Sequence, residues 1–277
     1  MNVKELAASV TDLTTLPDSY QQVRALAEDP NSSLKDFADV VSMDAAISAR
    51  LLRLVNSPFY GLPSKIESVL RAINLIGTEE LCNLVLASAV TGMFKSVRDE
   101  HFDLEAFWWR NVNVAMLARQ LGREGKVREV ERLFVAGILH DIGRLVAFQQ
   151  LPTLAAEIEQ AQSDASDWVR QKAVLSFSYA DLGAELLAQW NMPEALVEIV
   201  ASQNQPLRAM EQTRDAAILH MATRAVGWVE TPDQLDEEQA GACVDEDVWE
   251  EARLEPWQLI EAIGVVHDCG PEVRSIF

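Results

Sequence analysis

Apolar residues return at helical spacing along almost the whole chain, whereas alternating apolar and polar runs bounded by turn residues are scarce. Spacing of that kind turns one face of a helix toward a core and gives strands no continuous face, so the pattern predicts an all-α protein. Several starts carry capping chemistry: Ser33 before Leu34-Lys35-Asp36-Phe37-Ala38, Asp44 before Ala45-Ala46-Ile47, Ser68 before Val69-Leu70-Arg71, and Thr78 before Glu79-Glu80-Leu81. Each side-chain oxygen can accept a bond from a first-turn amide. Asn56-Ser57-Pro58, Gly77, Gly122 and Asn191-Met192-Pro193 are the expected stops.

The pattern lapses into a polar run from Lys95 to His101, after which Asp103 caps a long amphipathic stretch ending at Leu121-Gly122. A lobe boundary is therefore expected there, with an N-terminal helical lobe over 1–100 and a second lobe over 101–277. Between Glu230 and Glu251 stand ten acids and no Lys or Arg. That segment reads as an acidic solvated loop, with a docking strip for a basic partner as the alternative. Asp247 to Arg253 and Pro256 to Val266 read as closing helices. No repeat or low-complexity tract interrupts the pattern.

Composition narrows the classes. With 49% hydrophobic and 24% charged residues, the 277-residue chain has the make-up of a globular protein, large enough for two lobes. A net charge of -20 would repel a phosphate backbone, so no nucleic-acid partner is expected. No apolar run approaches the ~18 residues of a membrane span, and Met1-Asn2-Val3-Lys4-Glu5 lacks a signal-peptide pattern, so no membrane association and a cytoplasmic location are expected. Cys82, Cys243 and Cys269 read as reduced thiols. Arg119, Arg123, Lys126, Arg128 and Arg132 form the densest basic cluster, read as a solvated turn, with a phosphate or an acidic partner as the alternative. The seven tryptophans read mainly as packing groups.

One segment carries candidate chemistry. Ala136-Gly137-Ile138-Leu139-His140-Asp141-Ile142-Gly143 places a His-Asp pair in an apolar helical context, and both side chains are good ligands for Zn, Mn or Fe. A second pair, His267-Asp268, has too little chain after it to complete a site and is read as without function. There is no phosphate-cradling glycine loop, no Gly-x-Ser-x-Gly elbow and no Cys-His nucleophile pair.

The order of Leu16-Pro17, Val41-Ser42-Met43-Asp44-Ala45, Arg50-Leu51-Leu52-Arg53-Leu54-Val55-Asn56-Ser57, Ala72-Ile73-Asn74-Leu75-Ile76-Gly77 and Gly137-Ile138-Leu139-His140-Asp141-Ile142-Gly143 resembles the HDOD family. These are the HD-related output domains of bacterial signalling proteins, and the similarity runs from about Leu13 to Gly227. The resemblance implies two helical lobes, the second built like the HD phosphohydrolases. It further implies a histidine where Asn111 stands, a histidine near Tyr179, a His-His pair at Gln203-Asn204 and an aspartate at Thr223. Only His140 and Asp141 keep a ligand type.

Carboxamides and a hydroxyl are weak neutral donors for a metal that must acidify water. His220 and Asp181 lie near the missing positions but are displaced by part of a helical turn. The expectation is a degenerate pocket of Asn111, His140, Asp141, Tyr179, Gln203, Asn204 and Thr223. His140 and Asp141 would be vestigial metal residues, with no catalytic residue and no cofactor. His140 would bond a backbone carbonyl or the neighbouring carboxylate, and Asp141 would cap the helix beginning at Ile142-Gly143. The function expected is a standalone, non-catalytic signalling output module that acts on a protein partner. Two alternatives stand beside it: a metal-dependent phosphohydrolase acting on a nucleotide or cyclic dinucleotide, though no Gly-Tyr-Pro follows His140-Asp141, and a small-molecule sensor built on the remodelled pocket.

Overall fold

The computed structural model describes residues 2–11, 18–57, 64–94, 102–161 and 165–274. These are helical almost throughout, with no β-strand among them, so the chain is all-α. The polar run at 95–101, where a lobe boundary was expected, and Leu16-Pro17 and Pro58 lie outside the described residues.

Two compact units result. The smaller contains α2 (Asp18–Glu28), α3 (Leu34–Met43), α4 (Ala45–Val55), α5 (Val69–Ile76) and α6 (Thr78–Met93). Here α2 packs on α6, α3 on α5, and α4 on both α5 and α6, burying Leu51, Leu54, Ile73, Leu81 and Leu84. Its helix ends follow local chemistry. The Asp44 carboxylate accepts from the amides of Ala46 and Ile47, and the Ser68 hydroxyl accepts from Arg71. Ser33 donates from both its amide and its hydroxyl to Asp36. Asn56 ends α4 with its carboxamide bonded to the backbone of Leu52 and Ile66. Gly77, at φ 88°, ends α5 in a conformation an L side chain resists. Thr78 is already the first residue of α6 rather than its cap. No single described helix is long and apolar enough to cross a membrane; α5 and α6 reach that length only together, bent by 111°.

The larger unit contains α1 (Val3–Thr11) and residues 94–266. The N-terminal α1 packs on α12 (Tyr179–Gln189), so these first residues cluster with the later part of the chain. The longest element, α7 (Leu104–Glu124), is capped by Asp103 through the Ala106 amide and pairs with α8 (Val130–Leu139). Gly122 does not stop α7, as its residue type suggested. A β-carbon there would lie 2.5 Å from Leu133, so the glycine makes room for α8. Gly137 serves the same contact from the other side, with space for a β-carbon only 2.3 Å from the Ala115 backbone.

After α8 the chain turns at His140-Asp141 into α9 (Ile142–Gln150) and continues through α10 (Pro152–Gln160), α11 (Asp167–Leu175), α12, α13 (Glu194–Ser202) and α14 (Thr213–Ala225). The segment read as an acidic loop is structured: it contains α15 (Glu237–Gly241) and α16 (Glu246–Ala252) before α17 (Pro256–Arg274). Its acids fall where short helices favour them. Asp236 caps α15 in a reciprocal pair with Gln239, and Glu237, Glu238, Glu246 and Asp247 occupy first turns, beside the positive ends of the helix dipoles.

The basic cluster divides: Arg123, Lys126 and Arg128 are exposed, as expected of a solvated turn, whereas Arg119 and Arg132 are drawn into the helix contacts. Arg119 is buried and donates twice to Glu131, while Arg132 donates to Asp215 and Glu129. These arginines fasten α7, α8 and α14 together.

The tightest contact joins α9 to α12. A β-carbon on Gly143 would sit 2.0 Å from the Tyr179 carbonyl oxygen and 2.7 Å from the Gly183 amide nitrogen. Backbone atoms cannot rotate away, so Gly143→Ala is expected to cost about 3 kcal/mol or more, near the upper range for overpacking. Gly227→Ala, which meets nothing within 4 Å, serves as the control. Urea denaturation midpoints measure both; equal midpoints for the two variants would contradict this packing.

Candidate functional site

The site is built around the corner between α8 and α9. His140 closes α8 in a helical conformation and Asp141 opens α9, so one residue of irregular backbone sends both side chains toward the faces of α12, α13 and α14. His140 is buried, and its Nδ1 lies 2.7 Å from the Gly137 carbonyl oxygen. A carbonyl only accepts, so Nδ1 carries the proton and Nε2 keeps its lone pair. Asp141 makes no capping bond, contrary to expectation; its carboxylate instead lies 3.7 Å from Arg144, which also grips Glu159 at 2.8 and 3.0 Å.

Gln203 ends α13 and closes the opposite wall. Its carboxamide donates to the carbonyls of His140 at 2.7 Å and Val200 at 2.9 Å, while its own backbone carbonyl lies 2.6 Å from His220 Nδ1. One neutral residue thus ties the His-Asp corner to α13 and α14. Thr223 returns its hydroxyl to the His220 carbonyl, and Arg110 of α7 donates to the Thr223 carbonyl at 3.1 Å. Tyr179 is placed by the capping pair of Ser178 and Asp181 and by its own amide, which donates to Gln171. Its hydroxyl is buried with no hydrogen-bond partner.

These walls line an open cavity of about 670 Å³. Of the residues the sequence singled out, His140, Asp141, Tyr179, Gln203, Asn204 and Thr223 line it together, and His220 joins them. Asn111 does not: it is fully buried in the wall, where its amide donates to the Ile138 carbonyl. Asp181 is likewise spent on Ser178 and on Lys172, 3.3 Å away. Sequence reasoning missed Arg110, Arg144 and Arg224 in the lining. The signal for Arg144 was present, since a residue three after Asp141 shares its helix face. Arg110 and Arg224 adjoin the singled-out positions Asn111 and Thr223.

The donor set does not suit the transition metal of an HD hydrolase. Among the described residues, no three His, Cys, Asp or Glu side chains are placed to share a cation. His140 and His220 each commit Nδ1 to a backbone carbonyl and keep Nε2, so two imidazole nitrogens remain, while Gln203 has turned its carboxamide to backbone carbonyls.

Burial is the main cause that pushes the His140 ring down to about 3, with Arg110 and Arg144 adding to the fall against the bond to Gly137. Burial also raises the Asp141 carboxyl to about 6, against the pull of Arg144 and Arg110. The Asp141 side chain keeps 20% of its surface, so solvent moderates that rise. Between about 3 and 6.5 the unfolded chain protonates His140 more readily than the folded one, so its contribution to stability is lost as pH falls through that window. Asp141 acts oppositely, holding its proton more tightly when folded; that contribution is present below 3.8 and is lost as pH rises through about 6. Ring-proton NMR shifts of His140 are therefore expected to stay flat as pH falls through 6.5; a titration step there would contradict the buried neutral ring.

Comparison with known proteins agrees with this architecture. A proposed phosphohydrolase of Shewanella amazonensis SB2B is 27% identical, with a TM-score of 0.79 over 98% of this chain and 97% of its own. An HDOD domain protein of unknown function from Geobacter sulfurreducens shares the fold at 18% identity and a TM-score of 0.72, over 99% of this chain and 98% of its own. An uncharacterized protein of Treponema pallidum (strain Nichols) is 25% identical over 203 residues, 71% of this chain; the alignment spans 39% of that relative's length. The family model of the HDOD domain matches residues 13–206, and the chain belongs to the HDOD domain family.

Proposed function

We propose that this protein is a non-catalytic output module of a signalling pathway, acting in the cytoplasm through contacts with a protein partner rather than by turnover. The observation that supports this reading most is the Gln203 knot, in which neutral hydrogen bonds to His140 and His220 stand where a hydrolase would need imidazole and carboxylate ligands. The net charge of -20 favours a protein partner over nucleic acid. The competing reading is phosphohydrolysis, the activity named for the Shewanella amazonensis relative. It would have to draw on His140, Asp141 and His220, which line one cavity but are not placed to share a cation.

Elemental analysis of protein purified without a histidine tag, with turnover assays on phosphomonoesters and cyclic dinucleotides, separates the two. The expected result is a transition-metal content far below one ion per chain and no turnover. Near-stoichiometric metal, or turnover that disappears in His140→Ala, would overturn the proposal. In the same account His140→Ala is a structural lesion. It removes a buried ring and its bond to Gly137, and is expected to cost roughly 1–3 kcal/mol. A lowered melting temperature with unchanged metal content checks this; an unchanged melt would count against the structural role.

A further inference from the structure

The cavity beside His140 has the size and lining of a small-molecule site, which the non-catalytic reading alone does not explain. Its volume of about 670 Å³ falls within the range of ligand pockets. Its walls are fixed before any ligand arrives, because Gln203, His220 and Arg110 are each hydrogen-bonded to backbone carbonyls of the elements they face.

Several polar groups on those walls are left without partners. The Tyr179 hydroxyl is only 2% exposed for the whole residue and meets no acceptor or donor. The carboxamide of Asn204 and the guanidinium of Arg224 make no hydrogen bond or ion pair to a described residue, and both line the cavity. Arg144 is already committed to Glu159 and Asp141. The lining also carries the carboxylates of Asp141, Glu159, Asp167 and Asp245, so positive charge for a ligand is confined to the end held by Arg224 and by Arg110, which reaches the carbonyl of the residue preceding Arg224. His140 Nε2 and the Asp141 carboxylate are acceptors, at the end of the cavity where the Asp141 charge also acts on Tyr179.

We propose that this cavity binds a small organic oxoanion, a carboxylate or a phosphomonoester, carried on a hydroxylated carbon skeleton. Arg224, Arg110 and Asn204 hold the oxoanion, and the hydroxyl groups of the skeleton bond to Tyr179, His140 Nε2 and Asp141. A bare inorganic anion lacks the carbon skeleton that would carry hydroxyls from the arginines across to Tyr179, His140 Nε2 and Asp141, so it makes only part of these bonds. The proposal goes beyond the non-catalytic reading without depending on it.

Calorimetric titration of the full chain with ribose 5-phosphate, gluconate and inorganic phosphate, in the presence of a chelator, tests it. The two organic probes distinguish a phosphomonoester from a carboxylate. The chelator keeps the outcome separate from metal content and turnover. We expect saturable one-site binding of at least one organic probe, with inorganic phosphate about tenfold weaker or more, the worth of one charged contact. Arg224→Ala, at an exposed position, and Tyr179→Phe, which preserves the ring, should each weaken binding by about tenfold with the melting temperature nearly unchanged. Failure of both organic probes to bind, or binding that survives both substitutions, would overturn the assignment.

Discussion

The backbones of α9 and α12 approach so closely at Gly143 that a β-carbon would lie 2.0 Å from the Tyr179 carbonyl oxygen. The rest of the site depends on this contact. It sets the angle at which α9 leaves the His140-Asp141 corner and the depth at which Tyr179 enters the cavity. Gly137 and Gly122 do the same for α8 on α7. With α9 against α12 and α8 against α7 held at backbone distance, side chains at the corner have little freedom, and hydrogen bonds that would be weak on a mobile surface become fixed features.

Within that frame, neutral groups make the hydrogen bonds that join the corner to α13 and α14. Gln203 turns its amide to the His140 and Val200 carbonyls and presents its own carbonyl to His220. A carboxamide serves this purpose well, because it satisfies buried backbone acceptors without bringing a charge that must be desolvated. His140, neutral and bonded to Gly137, fits the same logic. Charges that remain inside are compensated in pairs, as in Arg119 with Glu131 and Arg132 with Asp215. Much of the acidic excess lies exposed on the short helices near residues 230–251, where solvent screens it.

The helical class, the caps at Asp44, Ser68 and Asp103, and the stops at Asn56, Gly77 and Asn191 were legible because each rests on residues within a few positions of one another. The meeting of His140, Tyr179, Gln203, Asn204 and Thr223 was legible only through family resemblance, since no local rule brings α8, α12, α13 and α14 together. What local reading mistook was decided by distant partners. Gly122 looked like a stop because its demand comes from Leu133 across a helix pair. Arg132 looked solvated because its partner, Asp215, lies 83 residues away. Asn111 looked like pocket lining because its helix does face the site, yet its own side chain turns into the wall toward Ile138. The acidic run looked like a loop because its charge outweighed its capping pattern, although Asp236 and Gln239 form a reciprocal cap.

The central claim is that hydrogen bonds among neutral groups have taken the place of a metal site at the His140-Asp141 corner. The most direct test is a crystal structure of the protein grown with excess zinc or manganese, with anomalous data collected at the metal edge. The account predicts no anomalous peak in the cavity and the Gln203 carboxamide still on the His140 carbonyl. A fully occupied metal bound to His140 and Asp141, with Gln203 displaced, would contradict it.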